Sequence, residues 1–483
     1  MANEKQLRVP MPEQEPQERI HNFDEVAQGY TPEQAMEEAA RCLHCKNRPC
    51  TAGCPIGNRI PEFMALTAEG KFEEAYRVVR EKSCLPAITG RVCSQETQCE
   101  QRCVRGIKGE ALGIGRIERF LADWAMEHGV PRTVGMEPEN GRMVAVVGSG
   151  PAGLTCAGEL RRRGYGVTVF EALHEAGGIL RYGIPEFRLP NALVQREIDA
   201  LEREGVKFTL DALIGRSFTV DELFGMGYEA VFLGTGANMP GFMNIPGESL
   251  IGVYAANEYL ARLSLMRAFD ERYDTPVRRG KKVAVVGGGN VAMDAARSAL
   301  RLGAQEVSII YRRSAAEMPS NKAEADEAAA EGVVFRFLTN PVRILGNEAG
   351  EVSGIECVEM ELGEPDASGR RRPVEKKGSN FRIEADTVVM SIGTSPHPLI
   401  RDTTPGVEAD RWNSLVVDEE MRTSREGVWA AGDLVTGALT VVAAVKAAKT
   451  GGECFPPSPG KKHPQTNKKK KKEPRGGGNR RAF

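Results

Sequence analysis

One arrangement occurs twice in this chain and restricts its fold more than any other feature. From Met143, the run MVAVVGSGPAGLTCAGELRRRGYGVTVFE reads as an apolar strand, a glycine-rich turn, a helix and a second strand. From Lys282, KVAVVGGGNVAMDAARSALRLGAQEVSIIYRR repeats it. A strand followed by such a turn and a helix is the opening of a dinucleotide-binding βαβ unit. Two copies predict two such domains in tandem. Between them, YEAVFLGTGA reads as a buried strand ending at a glycine turn, and ADTVVMSIGTSP repeats that feature after the second copy. GVWAAGDLVTGALTVVAAVKAAK then adds a strand, a Gly-Asp turn and a helix. Insertion of the second domain into the first explains this order. The expected limits are 141–240 and 396–449 for the first domain, 241–395 for the inserted one, and 1–140 for a helical, cysteine-rich module in front. From 450 to 483 the chain turns basic and rich in Pro and Gly, which predicts a disordered tail or a frameshifted end.

The two glycine loops differ in the residues beyond them. In the first, Gly148 permits the tight turn, Gly150 lets the backbone approach a pyrophosphate, and Gly153 lets the helix sit close to the strand. Glu171 ends the next strand, where a carboxylate accepts hydrogen bonds from ribose hydroxyls. In the second loop the corresponding positions are Gly287, Gly289 and Ala292, and the place of the acid is taken by Tyr311 with Arg312 and Arg313 after it. A carboxylate there would repel a 2′-phosphate, whereas guanidinium groups bind one. The second site is therefore expected to take NADPH. The first is expected to hold the flavin, because Gly432 and Asp433 return to it late in the chain and the helix expected from about Ala438 directs its positive end at the ring. A reactive cysteine pair is missing: after Cys103 only Cys156, Cys357 and Cys454 remain, far apart in sequence. Electrons must leave by a route other than a dithiol.

That route is suggested near the front. Cys42, Cys45, Cys50 and Cys54 read C-x2-C-x4-C-x3-C with Pro55 after them, and Cys93, Cys99 and Cys103 read C-x5-C-x3-C. The C-P ending resembles ferredoxin-type ligation, in which the last thiolate serves a different cluster. Zinc also takes four thiolates, so the spacing alone leaves a zinc-stabilised scaffold open. Seven thiolates are one short of two four-ligand sites, which invites an oxygen ligand. The N-terminus MANEKQLRVPMPEQEPQ has no signal-peptide core and no run is apolar enough for a membrane span, so a cytoplasmic protein is expected, where cysteines rarely form disulfides. A net charge of −2 gives no reason to expect nucleic acid as a partner.

Several long segments in one order carry a resemblance: ARCLHCKNRPCTAGCP, NRIPEF, GRVC with CEQRC, IGRIERF, VAVVGSGPAGL, GGILRYGIPEFRLP, VVGGGNVAMD, YRRSAAEMPS and AGDLVTGA. Over roughly residues 8–449 the chain resembles the small subunit of NADPH-dependent glutamate synthase and its relatives. The resemblance implies an α/β fold with an N-terminal all-α iron-sulfur domain, FAD and NADPH as cofactors, and two [4Fe-4S] clusters. One cluster would use Cys42, Cys45, Cys50 and Cys103; the other Cys54, Cys93, Cys99 and the carboxylate of Glu118. Gly178, Arg181 and Arg188 would run along the flavin, and Asn290 and Asp294 would belong to the nicotinamide-nucleotide motif. No protein side chain would act as nucleophile or general base. Electrons would pass from NADPH through FAD and the clusters to the glutamate synthase large subunit. The alternative acceptor is another iron-sulfur flavoprotein, in a bifurcating transhydrogenase or a sulfide-linked oxidoreductase.

Overall fold

A computed structural model describes residues 7–132, 135–366 and 369–455. Two five-stranded sheets organise it. The first has the order Val428–Ala430, Ala230–Leu233, Met143–Val147, Gly166–Phe170, Lys207–Thr209, with every neighbouring pair parallel. The second has the order Val253–Ala255, Thr387–Met390, Lys282–Val286, Glu306–Tyr311, Val334–Phe337, again all parallel. These strands are short unbroken runs of Val, Ile and Phe because helices or ribbons cover both faces; Val144, Val146, Val283 and Val285 are all buried. The fold is thus α/β with two dinucleotide-binding units, the second inserted into the first. The two chain crossings between them, Met239–Pro240 and Thr394–Ser395, pair antiparallel side by side. The sheets differ at one edge. The first is completed by a strand from after the insertion, whereas Val253–Ala255 precedes its own glycine loop. An antiparallel ribbon built on Thr339–Gly346 and Val352–Pro365 packs on the second sheet.

The front of the chain is helical. Thr31 caps the helix Pro32–Ala40, its hydroxyl accepting from the Gln34 N–H while Gln34 reaches back to the Thr31 N–H, and Pro32 fills the first turn. The run from Pro61 to Lys82, which has the periodicity of one long helix, forms two: Ile60–Ala68 and Phe72–Arg80. Gly70 separates them at φ +74°, a left-handed conformation that ends a helix at little cost only in glycine. Phe63, Met64, Val79, Leu85, Ile88, Ile117 and Leu121 are fully buried, and this core is continuous with the outer face of the first sheet.

The C-terminal helix corrects two expectations. It begins at Val441, capped by the Thr440 hydroxyl, and the residues before it form only the short turn Asp433–Thr436. It also runs on to Cys454, past the point where periodicity fades at Thr450. Gly451 and Gly452 are buried there because a side chain would press on Phe232 and Glu159, so their lack of one permits close packing against the helix Pro151–Arg162. Phe455 is 2% exposed and stacks on Trp429 with ring centroids 4.2 Å apart. The rest of the expected tail, from residue 456, lies outside the described residues. Among the described residues no helix is long and apolar enough to cross a membrane.

Candidate functional site: two nucleotide loops and a divided set of thiols

The first glycine loop borders a cavity of about 470 Å³, lined among others by Gly148, Gly150, Glu171, Gly178, Gly432 and Asp433. Each glycine has a separate steric reason. Gly148 has φ +95°, and a Cβ there would stand 2.6 Å from the Gly234 carbonyl oxygen. At Gly153 a Cβ would collide with the Gly148 carbonyl oxygen, so this glycine holds the helix against the turn. A Cβ at Gly150 would meet no protein atom within 4 Å. It would project instead into the space a pyrophosphate needs, next to the first turn of Pro151–Arg162 with its free N–H groups. Gly178, at φ +53°, lies so close to the loop that a Cβ would be 2.7 Å from the Gly150 Cα.

Glu171 is buried and organised by the loop itself. Its carboxylate accepts from the Ser149 N–H at 2.9 Å and the Ser149 hydroxyl at 2.5 Å, and its other oxygen from the Leu173 N–H at 2.9 Å. The Ser149 oxygen in turn accepts from the Gly177 N–H. Ser149 therefore ties the phosphate loop, the ribose acid and the Gly177–Gly178 turn together. Nothing in its sequence position, between two glycines, marks it. Thr440, which lines the same cavity and caps the C-terminal helix, was legible: a threonine ahead of an apolar run is an N-cap signal. Burial raises the Asp433 carboxyl to about 6, against a hydrogen bond from the Leu439 N–H that favours the charged form.

Two residues expected along the flavin point elsewhere. Arg181 is buried, pairs with Glu175 and donates to the Gln195 side-chain oxygen at 2.6 Å. Arg188 leaves the first domain altogether. Its guanidinium meets both oxygens of Asp294, at 2.8 and 2.7 Å, and Glu324 at 2.7 Å, so the two residues assigned to different cofactors form one buried ion pair between the domains. Beside it, Phe187 lies under the guanidinium groups of Arg297 and Arg301, 4.9 and 3.9 Å from its centroid.

The second loop repeats the steric logic of the first. A Cβ at Gly287 would collide with the Ser391 carbonyl oxygen, one at Gly288 would stand 2.7 Å from the Tyr311 ring, and one at Gly289 would meet nothing within 4 Å. Ala292 is fully buried. Asn290 opens the helix Asn290–Arg301 and its side-chain oxygen accepts from the Asn321 N–H at 2.8 Å. The two arginines after Tyr311 divide. Arg312 is exposed, whereas Arg313 is buried, donates to the Arg371 carbonyl at 2.9 Å and pairs with Asp366 at 3.1 Å.

The cysteines gather at helix ends rather than only in loops. Cys50 lies within Pro49–Gly53 and Cys54 ends it; Cys93 ends Pro86–Val92. His44 and Arg48 take left-handed backbone at φ 47° and 44°, winding the chain tightly between Cys42 and Cys50. Gly53 admits the second cysteine segment closely, since a Cβ there would be 2.7 Å from the Gln98 carbonyl. The thiols sort by the charges they feel. Burial raises Cys42, with the Cys103 and Cys45 sulfurs adding to it, and burial pushes Cys50 up to about 11, with Cys42 and Cys103 adding. Burial also raises Cys54 and drives Cys93 and Cys99 well above the usual thiol range; all three are burdened further by Glu118. Glu118 itself is raised to about 7 by burial and accepts from the Thr89 hydroxyl at 2.6 Å. Two groups result: Cys42, Cys45, Cys50 and Cys103 in one, Cys54, Cys93, Cys99 and Glu118 in the other. Among the described residues no three such side chains close on the point a single ion would occupy. Each group offers four soft or anionic donors with little cationic support from the protein, the chemistry a bound metal cluster satisfies. Cys84 stands apart, donating to Glu159 at 3.2 Å.

Comparison with known proteins separates the cysteine module from the nucleotide-binding part of the chain. Residues 19–130 match the family described as dihydropyrimidine dehydrogenase domain II, 4Fe-4S cluster, and residues 142–448 match the pyridine nucleotide-disulphide oxidoreductase family. The glutamate synthase [NADPH] small chain of Escherichia coli is 37% identical over 91% of this chain and 94% of its own length. The chain belongs to the glutamate synthase small-chain family. A second small chain, from Halomonas elongata, is 38% identical over 92% of this chain and 94% of its own length. The subunit beta of an NADP(+)-dependent formate dehydrogenase from Moorella thermoacetica is 41% identical over 82% of this chain. This small-chain relative spans only 58% of that subunit, and 66% of the Escherichia coli oxidoreductase AegA. Mycobacterium tuberculosis FprA, solved with NADPH, shares the fold at a TM-score of 0.54 and 24% identity, over 66% of this chain and 84% of its own. Family membership makes the chain an NADPH-dependent flavin oxidoreductase with an iron-sulfur domain.

Proposed function

We propose that the chain is the electron-input subunit of glutamate synthase, taking a hydride from NADPH and passing electrons singly to a large partner subunit. The observation that carries this is the sorting of seven cysteines and Glu118 into two four-donor groups in the same chain as two nucleotide loops. FAD would lie on Gly148, Gly150 and Gly153, with Glu171 at its ribose and Gly178, Gly432 and Asp433 around the 470 Å³ cavity. NADPH would lie on Gly287, Gly289 and Asn290, with Arg312 at its 2′-phosphate. When bound, the flavin supplies the conversion of a two-electron transfer into one-electron steps. The protein's part is to bind and orient. The Arg188–Asp294 pair fixes one domain on the other, which would hold the two nucleotides in a set orientation. No side chain is required to move a proton. The four-donor groups would hold two [4Fe-4S] clusters.

The test is anaerobic purification followed by titration with NADPH. About eight irons with matching sulfide, and a flavin spectrum bleached by NADPH, support the cofactor reading; zinc without flavin ends it. Mixing with glutamate synthase large chain should then yield glutamate from glutamine and 2-oxoglutarate. A second partner class is favoured by the formate dehydrogenase relative and by a Geobacter sulfurreducens NADPH-Fe(3+) oxidoreductase subunit beta, 38% identical over 82% of this chain. Transfer to a small iron-sulfur flavoprotein but not to the large chain would select it.

A further inference from the structure

We infer that Glu96 is a positioning residue for hydride transfer: from the cysteine module it caps a helix of the second nucleotide-binding domain, and so fixes the NADPH loop relative to the flavin domain. The inference rests on the placing of NADPH at Gly287, Gly289 and Asn290, and adds what holds that loop from outside its own domain. The helix Lys322–Ala330 has no side-chain cap of its own. Asn321 stands at its N-cap position and makes no capping bond, although the first N–H groups of a helix need acceptors. The acceptor comes from 226 residues earlier. One oxygen of the Glu96 carboxylate takes the Lys322 N–H, and the other takes the Ala323 N–H at 3.4 Å. A carboxylate suits this end of a helix, where the aligned peptide dipoles leave positive charge. The two preceding N–H groups turn to the nucleotide loop. Ser320 donates to the Gly288 carbonyl at 3.2 Å, and Asn321 to the Asn290 side-chain oxygen at 2.8 Å. Four consecutive N–H groups thus splint the nucleotide loop to the cysteine module.

Glu96 is presented from a braced turn. Its neighbour Gln95 donates to the Thr89 and Gly90 carbonyls at 3.3 and 3.2 Å, within the helix Pro86–Val92. Gln95 also packs on Gly115, where a Cβ would collide with its amide nitrogen. In the same first turn of Lys322–Ala330, Glu324 pairs with Arg188 of the flavin domain at 2.7 Å. That turn is therefore held by the cysteine module and by the flavin domain, at separate points. One contact alone would leave the NADPH domain free to swing about it; two restrict the swing. Hydride transfer needs the reacting atoms about 3–3.5 Å apart. The residues expected to bind NADPH lie within its own domain, so loosening that domain costs rate and not affinity.

The experiment uses the full chain, reconstituted with flavin, iron and sulfide. Glu96→Ala removes the acceptor. Lys322→Pro removes a donor, and proline suits the first helical position after Asn321, whose φ of −59° and ψ of 139° it tolerates. Lys322→Ala, which loses the same exposed side chain but keeps the N–H, is its control. At saturating NADPH, Glu96→Ala and Lys322→Pro should each slow bleaching of the flavin about tenfold, as for loss of a charge-assisted bond, with NADPH affinity and iron content unchanged. Glu96→Gln, which keeps an acceptor oxygen, should recover most of the rate, and Lys322→Ala all of it. Adding Lys322→Pro to Glu96→Ala should slow bleaching no further. An unchanged rate in Glu96→Ala overturns the inference. So does a loss of rate matched by lost iron, which makes Glu96 a support of the thiol loop only. So does weaker NADPH affinity with the saturated rate intact, which makes it part of nucleotide binding. If NADPH does not bleach the parent, the proposed function falls, and amide hydrogen exchange decides the splint by itself. Residues 320–323 and 287–290 should exchange about tenfold faster in Glu96→Ala; equal protection ends the inference.

Discussion

Phe455 offers the sharpest test of the tertiary packing, because composition alone would discard it with the basic tail. Its ring is 2% exposed, stacked on Trp429 at 4.2 Å, and contributes to the same core as Val445 and Ala448. Replacing a buried Phe by Ala removes the transfer energy of the ring and leaves a cavity, together costing about 3–5 kcal/mol. The stacking on Trp429 places the cost toward the upper part of that range. For a cooperative unit the size of the flavin domain this corresponds to a fall in melting temperature of about 6–20 °C. The assay is thermal denaturation of Phe455→Ala, followed by NADPH-ferricyanide activity after graded heating. Two truncations bracket it. Ending the chain after Phe455 should leave both readouts unchanged, whereas ending it after Thr450 should match or exceed the loss in Phe455→Ala. A Phe455→Ala protein melting within about 2 °C of the parent would refute the packing argument, since that shift corresponds to only about 0.5–1 kcal/mol.

The nucleotide loops make contrasting predictions. Gly150→Ala should empty the flavin site while leaving the apoprotein's melting unchanged, because the new methyl meets no protein atom; Gly153→Ala should fail to fold, because its methyl meets the Gly148 carbonyl. Flavin absorbance and circular dichroism separate the two. Arg312→Glu should raise KM for NADPH at least about tenfold, as expected for loss of a charge-assisted contact, and move KM for NADH little. Glu118→Ala should lower iron and sulfide by about half, the share of one of two clusters, and Glu118→Gln, which keeps an oxygen, should retain more; equal iron in all three proteins would remove Glu118 from the ligand set. Burial pushes Glu159 up, but Lys449 and Arg162 pull it down to about 2. Its folded value lies below its unfolded one, so its stabilisation, on the order of 3 kcal/mol, is present above about pH 4.5 and lost as pH falls through about 2. Glu159→Gln should flatten the acid limb of a stability-against-pH curve.

Features that depend on neighbours along the chain could be read from the residues alone. The strand-turn-helix openings at Met143 and Lys282, the capping box at Thr31 and the cysteine spacings are local, and local sterics and hydrogen bonding dictate them whatever the rest does. The late return of Val428–Ala430 to the first sheet was also legible, since a buried strand needs a sheet to join. Matters of direction waited on the packed fold. Arg188 and Asp294 each sit in a cofactor motif, yet desolvation leaves two buried opposite charges little choice but each other once the domains meet. Arg312 and Arg313 are adjacent in sequence, but Asp366, more than fifty residues later, takes one of them and leaves the other exposed. Likewise the chain past Thr450 has no periodicity of its own to read. Only the surface of Pro151–Arg162 and the Trp429 ring, brought alongside by the sheet, make Gly451, Gly452 and Phe455 part of the core.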